Sequence, residues 1–524
     1  MFGLMQDWPL TVDRFLSHAA RAHGHRHVVS RREDGRIERK TYAEIHACAK
    51  RVSNALRADG IARGDRVATL AFNSAAHLEA WYAIAGIGAV CHTLNPRMSV
   101  EQLGFMVQHA TDRLLFADAA LAPLAAELSR RSPALERVVF LDALPEFAAD
   151  CAAECVWGDF DERSAAGLCY TSGTTGDPKG VLYSHRSNFL HTLMILQPDV
   201  IGVSVNDTVL PVVPMYHANA WALAFAAPAV GARLVMPGAK LDGASVYELI
   251  EGEGVTLTAG VPTVWLGLLQ YMGAAGKRFS TLRRLLVGGS ACPERLIREF
   301  ADLGVEVIHA WGMTEMSPIG SVGTLTPEIA ERAFEDQMPW RIKQGRAPFS
   351  VEWKLVDDAG GPLPHDGVAV GKLRVRGPAV VAGYFRDSSK ILDDDGYFDT
   401  GDIASIDPDG FMLVTDRSKD VIKSGGEWIS SLAIENAALM HPALAGASVV
   451  AIADAKWGER PVLLAILKPG CVATATELCE FLAARLAKWH VPDRVSFLTE
   501  FPLGPTGKVD KRRLRDQVAA GAFG

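Results

Sequence analysis

At 524 residues the chain is too long for one compact core, and length alone suggests about three or four units. A 49% hydrophobic share beside 22% charged residues reads as a globular enzyme in water, and a net charge of -8 leaves no basic field to gather nucleic acid. The opening Met1-Phe-Gly-Leu-Met-Gln-Asp-Trp-Pro9 lacks the basic and apolar stretches of a signal peptide, and no apolar run reaches the ~18–20 residues of a spanning helix, so no transmembrane segment and a cytoplasmic setting are expected. Cys48, Cys91, Cys151, Cys155, Cys169, Cys292, Cys471 and Cys479 form no CxxC pairs and match no histidine spacing; they read as small hydrophobes in a reducing compartment, with neither disulfide nor zinc expected.

In chain order, a buried strand is predicted from Arg66, a helix over His77 to Ile87, and a second strand over Ala89 to Leu94, which makes a βαβ unit. Apolar runs at Val138 to Leu141, Arg233 to Met236, Thr256 to Thr258, Arg284 to Val287 and Glu306 to Ile308 continue an α/β pattern with substantially parallel sheets. After Gly367 short strands and turns predict a small β-rich layer. Beyond Lys419 the runs Ala447 to Ile452 and Val462 to Leu467, a helix near Thr474 to Leu486 and a strand over Arg494 to Leu498 predict a compact α+β tail.

The segment Tyr170-Thr-Ser-Gly-Thr-Thr-Gly-Asp-Pro-Lys-Gly180 is suited to phosphate. Gly173 and Gly176 bare the backbone N–H groups, Thr171, Ser172, Thr174 and Thr175 donate hydroxyls, and Lys179 adds positive charge. By composition alone a solvated turn is the plainer reading. A Walker P-loop is disfavoured, because Pro178 and Gly180 stand where that motif needs a glycine and a Ser or Thr. Four further segments follow: Trp311-Gly-Met-Thr-Glu315, Tyr397-Phe-Asp-Thr-Gly-Asp402, Asp416-Arg-Ser-Lys-Asp-Val-Ile-Lys-Ser-Gly-Gly-Glu427 and Pro505-Thr-Gly-Lys508.

In this order the five segments resemble the adenylate-forming enzymes, the superfamily of acyl-CoA synthetases, peptide-synthetase adenylation domains and luciferases. The resemblance implies a large N-terminal domain (1–416) of parallel-rich α/β sheets plus a small β-rich subdomain, and a small mobile α+β domain (417–524) turning on a hinge near Lys419. It implies that Thr171 to Gly176 and Lys179 hold the β- and γ-phosphates of ATP, that Thr314 touches the α-phosphate, and that Thr175 and Glu315 hold Mg2+. Trp311 takes the place of the family's usual tyrosine, keeping a ring to stack on adenine beside Gly312 and Met313 but lacking the phenol hydroxyl. Asp402 and Arg417 match the ribose contacts. Gly288, Gly289, Ser290 and Ala291 match the stretch between adenine and acyl pocket. Lys508 matches the catalytic lysine that bridges carboxylate and α-phosphate, whereas Lys511, Arg512, Arg513 and Arg515 read as a solvated basic face or helix end. Lys419, Lys423, Ser424, Gly425, Gly426 and Glu427 match the hinge and the loop beside the CoA thiol.

Val213-Pro-Met-Tyr-His-Ala-Asn-Ala-Trp-Ala-Leu-Ala-Phe225 is similar to a segment of bacterial medium- and long-chain fatty acyl-CoA synthetases, with His217 at the characteristic histidine and Trp221 at the residue that gates the acyl tunnel. Taken without the family, Trp221 and Phe225 read as one apolar helical face. Val261, within Thr258 to Trp265, and Gly288 would line an apolar cavity for the acid. The resemblance thus implies an AMP-forming acid:CoA ligase using ATP, Mg2+ and CoA, with a fatty acid as substrate. Aryl-alkanoic, branched or methylthio-alkanoic acids, and a non-catalytic nucleotide- or acyl-binding protein, are the alternatives. CoA is expected as acceptor because no carrier-protein domain follows Gly524, and a homodimer through the large domain is carried over. Gly371-Lys372 stands where a Gly-Glu pair is usual.

Overall fold

The computed structural model describes residues 1, 3–171, 177–417, 419–424, 427–504 and 509–523. Two large sheets share one core. In the first the spatial order is Ile319–Val322, Glu306–Gly312, Arg284–Val287, Leu257–Gly260, Thr208–Pro211, Arg233–Met236, His27–Arg31 and Ile37–Thr41, with the inner six strands parallel and both edges antiparallel. The second runs Arg137–Phe140, Leu114–Ala117, Arg66–Leu70, Val90–Leu94, Ala165–Tyr170 and Gly180–Ser184, parallel until its last, antiparallel pair. The inner strands of both sheets are mostly apolar and buried, as strands covered on both faces must be, whereas the edge strand Ile37–Thr41 is polar and partly exposed.

The helix Ala75–Gly86 explains how the sheets are held together. It starts at Ser74, whose hydroxyl accepts from the His77 N–H, and eleven of its residues are buried. A helix apolar on every side belongs inside a protein. Its side chains join Val28, Val209 and Leu234 of one sheet and Val67, Cys91 and Phe116 of the other in a single cluster.

Glu352–Val356, Gly371–Arg376, Phe398–Ile406 and Met412–Arg417 form the predicted β-rich layer as a four-stranded antiparallel sheet. Lys372 in it pairs with Asp358 at 2.9 Å. The tail is a five-stranded sheet whose longest ladder joins Leu444–Asp454 to Gly458–Leu467, packed by helices Ser431–Leu439, Ala475–Ala483 and Lys511–Ala519.

Several expectations need correction. The run assigned to Thr256–Thr258 is a strand at Leu257–Gly260, and the one assigned to Glu306–Ile308 continues to Gly312 because Ile319–Val322 pairs with its far end. Lys511 and Arg515 are not on a solvated face. Lys511 Nζ sits 2.7 Å from Glu435 and donates to Ser431 Oγ at 2.6 Å, and Arg515 pairs with Asp420 at 2.5 Å. Burial works against the Lys511 charge, but Glu435 and Asp416 more than offset it and raise its pKa. Lys511 ties the last helix to the helix Ser431–Leu439, and Arg515 ties it to the segment around Lys419, whose carbonyl accepts from Arg515 at 3.2 Å.

Candidate active site

The strand Glu306–Gly312 carries Trp311 near its C-terminal end, and the β-rich layer brings Asp402 against it. The Trp311 indole N–H donates to Asp402 Oδ2 at 2.8 Å, and Arg417 Nε lies 2.7 Å from Asp402 Oδ1. Asp402 and Arg417 are register partners on neighbouring strands, so the pair is set by the ladder itself. The carboxylate is 1% exposed, and Arg417 reaches it from solvent. A buried carboxylate with a hydrogen-bond donor on one oxygen and a guanidinium beside the other is fixed in direction. Trp311 thus brings a donor of its own, the indole N–H, to this carboxylate.

Glu315 follows in a 3-10 turn and is buried, which pushes its pKa above the usual carboxylate range; Tyr384 donates to its Oε1 at 2.9 Å. Tyr384 also carries Lys179, whose Nζ lies 4.8 Å from the ring centroid. The carbonyl of Thr314 accepts from Tyr183 at 2.7 Å. Among the described residues no three His, Cys, Asp or Glu converge, and Glu315 is the carboxylate that this end of the site offers a metal, with further oxygen ligands needed beside it. That donor set fits magnesium. Gly312 is required by crowding, since a Cβ there would stand 2.0 Å from the Pro318 carbonyl.

A cavity of about 650 Å³ opens beside these residues, its wall including Trp311, Gly312, Met313 and Thr314 together with the apolar Trp221, Val261, Val264, Leu241 and Ile319. Gly288 and Gly289 line it too, whereas Ser290 and Ala291 do not. His217 is on the wall, edge-on to Tyr216 at 4.9 Å. Trp221 is packed so closely on Gly288 that a Cβ there would meet its ring at 3.1 Å.

Trp221 does not share a helical face with Phe225. Ala218, Asn219, Ala220, Trp221 and Ala222 all have positive φ, between 40° and 62°, whereas Phe225 lies in the following right-handed helix Leu223–Val230 and packs on Trp81 with ring centroids 4.6 Å apart. Of the nine non-glycine residues with positive φ among the described residues, five are in this one run. Each costs about 1–2 kcal/mol relative to the right-handed form, so surrounding structure must impose the turn.

Of the remaining candidates, Thr171 N–H donates to the Lys179 carbonyl at 2.9 Å, and Tyr170 pairs with Gly180 in the ladder below. This closes the neck of the glycine-threonine segment. Ser172, Gly173, Thr174, Thr175 and Gly176 lie outside the described residues, as do Gly425, Gly426, the Glu427 side chain and Lys508. Lys423 is exposed, with its N–H donating to Glu459 at 2.8 Å, and Ser424 is buried 3.4 Å from Arg460. Burial lowers the Lys419 pKa. Tyr384, Tyr183, Trp81 and Asn219 went unnoticed in the sequence; their roles come from contacts between distant segments, which no local pattern marks.

The AMP-binding enzyme model matches residues 15–385, and the AMP-binding enzyme C-terminal domain model matches residues 433–508. The chain belongs to the AMP-binding enzymes. Among curated members of this family, the 3-methylmercaptopropionyl-CoA ligase of Ruegeria lacuscaerulensis is 46% identical, covering 99% of both chains. The medium-chain-fatty-acid–CoA ligase of Ectopseudomonas oleovorans is 44% identical over 99% of this chain and 97% of its own. The fold is similar to that of O-succinylbenzoate coenzyme A synthetase from Bacillus subtilis in complex with ATP and magnesium ion, at 27% identity and a TM-score of 0.81, covering 96% of this chain and 99% of that one.

Proposed function

We propose that this AMP-binding enzyme is an ATP-dependent carboxylic acid:CoA ligase that activates an apolar acid, a medium- or long-chain fatty acid, as its acyl-adenylate and passes the acyl group to CoA. The observation that carries this reading is the continuity of one cavity from Trp311 and Thr314 to the apolar wall of Trp221, Val261 and Val264. An acid lying along that wall presents its carboxylate to the nucleotide end.

In the first step a carboxylate oxygen attacks the α-phosphorus, a P–O bond forms, and the α,β-anhydride breaks with its electron pair leaving on pyrophosphate. Trp311 stacks on adenine, Asp402 and Arg417 hold the ribose hydroxyls, Thr314 contacts the α-phosphate, and Thr171 to Gly176 with Lys179 embrace the departing phosphates. Magnesium, held by Glu315 and Thr175, supplies positive charge against those phosphates when bound. Lys508 neutralises the carboxylate and α-phosphate as they approach, and His217 lies beside the acyl path. In the second step the CoA sulfur attacks the acyl carbon, the C–O bond to phosphate breaks with AMP leaving, and the thiol proton passes to solvent. That attack needs a path the adenylation-state lysine would obstruct, so residues 417–524 turn against 1–416 about Lys419 and bring Lys423 to Glu427 beside the thiol. A cytoplasmic homodimer through the large domain completes the reading; sedimentation of the purified protein checks the dimer.

Pyrophosphate release across straight-chain acids of increasing length and 3-methylthiopropionate, with and without CoA, tests the whole. Acid-dependent release is expected, and its absence with every acid would leave only a binding protein. A methylthio-alkanoic acid is the second reading, supported by the seating of Trp221, a residue of the cavity wall, on Gly288, where its bulk would favour a short acid. Trp221→Ala is expected to shift the preferred acid toward greater length, read as kcat/KM for each acid; an unchanged profile would return Trp221 to the core. Trp311→Phe keeps the stacking ring and removes the donor to Asp402, so KM for ATP should rise up to about tenfold while kcat holds. An unaltered KM would make that hydrogen bond incidental to nucleotide binding.

A further inference from the structure

The left-handed turn 218–222 is held at its centre by a side chain from the helix between the sheets. Trp81 is fully buried, and its indole N–H donates to Asn219 Oδ1 at 2.9 Å. The Trp81 ring is itself fixed by Phe225 at 4.6 Å and Tyr82 at 5.6 Å. The entry to the turn is pinned separately: Asn73 Oδ1 accepts from Met215 N–H at 2.7 Å, while its amide donates to the carbonyls of Pro211 and Val213 at 2.9 and 3.0 Å. Within the turn, Asn219 N–H donates to the Met215 carbonyl and Ala222 N–H to the Asn219 carbonyl, both at 3.1 Å. Trp221 is the half-buried member of the run and faces the cavity against Gly288.

Asparagine is the residue of this run that best tolerates a left-handed conformation, and its amide oxygen is the group Trp81 holds. The alanines on either side have no such tolerance and no polar side chain, so they follow Asn219. Without the tether the run would relax toward the right-handed form, and the Cα–Cβ bond of Trp221 would point elsewhere.

We propose that Trp81 and Asn219 are positioning residues for acid specificity: their buried hydrogen bond keeps the 218–222 turn left-handed and so holds Trp221 against Gly288, which sets the depth of the acyl pocket. Neither residue lines the cavity. The proposal rests on the reading of that cavity as the acyl site.

The test uses the full chain and compares kcat/KM for straight-chain acids from four to twelve carbons, roughly spanning the pocket, and for 3-methylthiopropionate. Trp81→Phe removes the donor and keeps an aromatic ring, and Asn219→Gly keeps the left-handed preference and removes the acceptor. Each is expected to flatten discrimination among acids by about tenfold, toward the profile of Trp221→Ala, with KM for ATP within about twofold of the parent. The double variant should be no worse than either single change, because both break one bond. Asn219→Asp, which retains an acceptor, should keep the parent profile. If Trp81→Phe does not fold, Asn219→Gly against Asn219→Asp carries the decision. Parent-like profiles in Trp81→Phe and Asn219→Gly, alongside an altered one in Trp221→Ala, would overturn the proposal while leaving the acyl site in place. An unaltered profile in Trp221→Ala would remove the acyl-site reading and this inference with it.

Discussion

A Lys508→Ala variant is expected to lose about 10²–10³-fold in acid-dependent pyrophosphate release, while transfer from supplied acyl-adenylate to CoA falls by no more than about threefold. The split follows from what the cation is needed for. Carboxylate and α-phosphate repel as they approach, and one mobile ammonium placed between them offsets both charges; in the second step the anhydride is already made. Lys508 lies outside the described residues, but the cation three positions on can be excluded from the same role. Lys511 is committed to Glu435 and Ser431 and is mostly buried, so Lys511→Ala should lower thermal stability instead. Equal loss of both half-reactions in Lys508→Ala would contradict the assignment.

Asp402→Ala should raise KM for ATP by about 10–100-fold and also destabilise the fold by about 1–3 kcal/mol. Two effects combine because one carboxylate serves both. Its oxygens receive the Trp311 indole N–H and the Arg417 guanidinium, so its removal leaves a buried donor without an acceptor and a cation without its partner. Asp402→Asn separates the effects. It keeps an oxygen for Trp311 and most of the stability, yet loses the negative charge that orders Arg417 and that, in the proposed nucleotide site, would accept from ribose. Titration with ATP and a thermal melt on the same samples read the two quantities, and an Asp402→Ala protein with parent-like KM would remove the carboxylate from the nucleotide site.

The histidines buried in the core place a limit on any pH profile. Burial lowers His77 and His309 to about 4 and His185 and His191 to about 3, which keeps all four neutral at neutral pH and removes them as proton carriers there. Glu315 moves the other way, since burial favours its neutral form.

The sequence alone determined the α/β class, the change to a β-rich layer after Gly367, the α+β tail and the ordered set of segments that marks the family. Each is written in contiguous residues: apolar runs of strand length, or glycines and hydroxyls next to a lysine. Only the tertiary structure decided that Trp311 reaches Asp402 through its indole N–H, that Lys511 is committed to Glu435, and that Trp221 leaves a left-handed turn where its four-residue spacing from Phe225 suggests a helical face. In every such case the deciding contact spans many positions, 91 for Trp311 with Asp402 and 138 for Trp81 with Asn219, so local preference is overruled by a partner the neighbouring residues do not reveal.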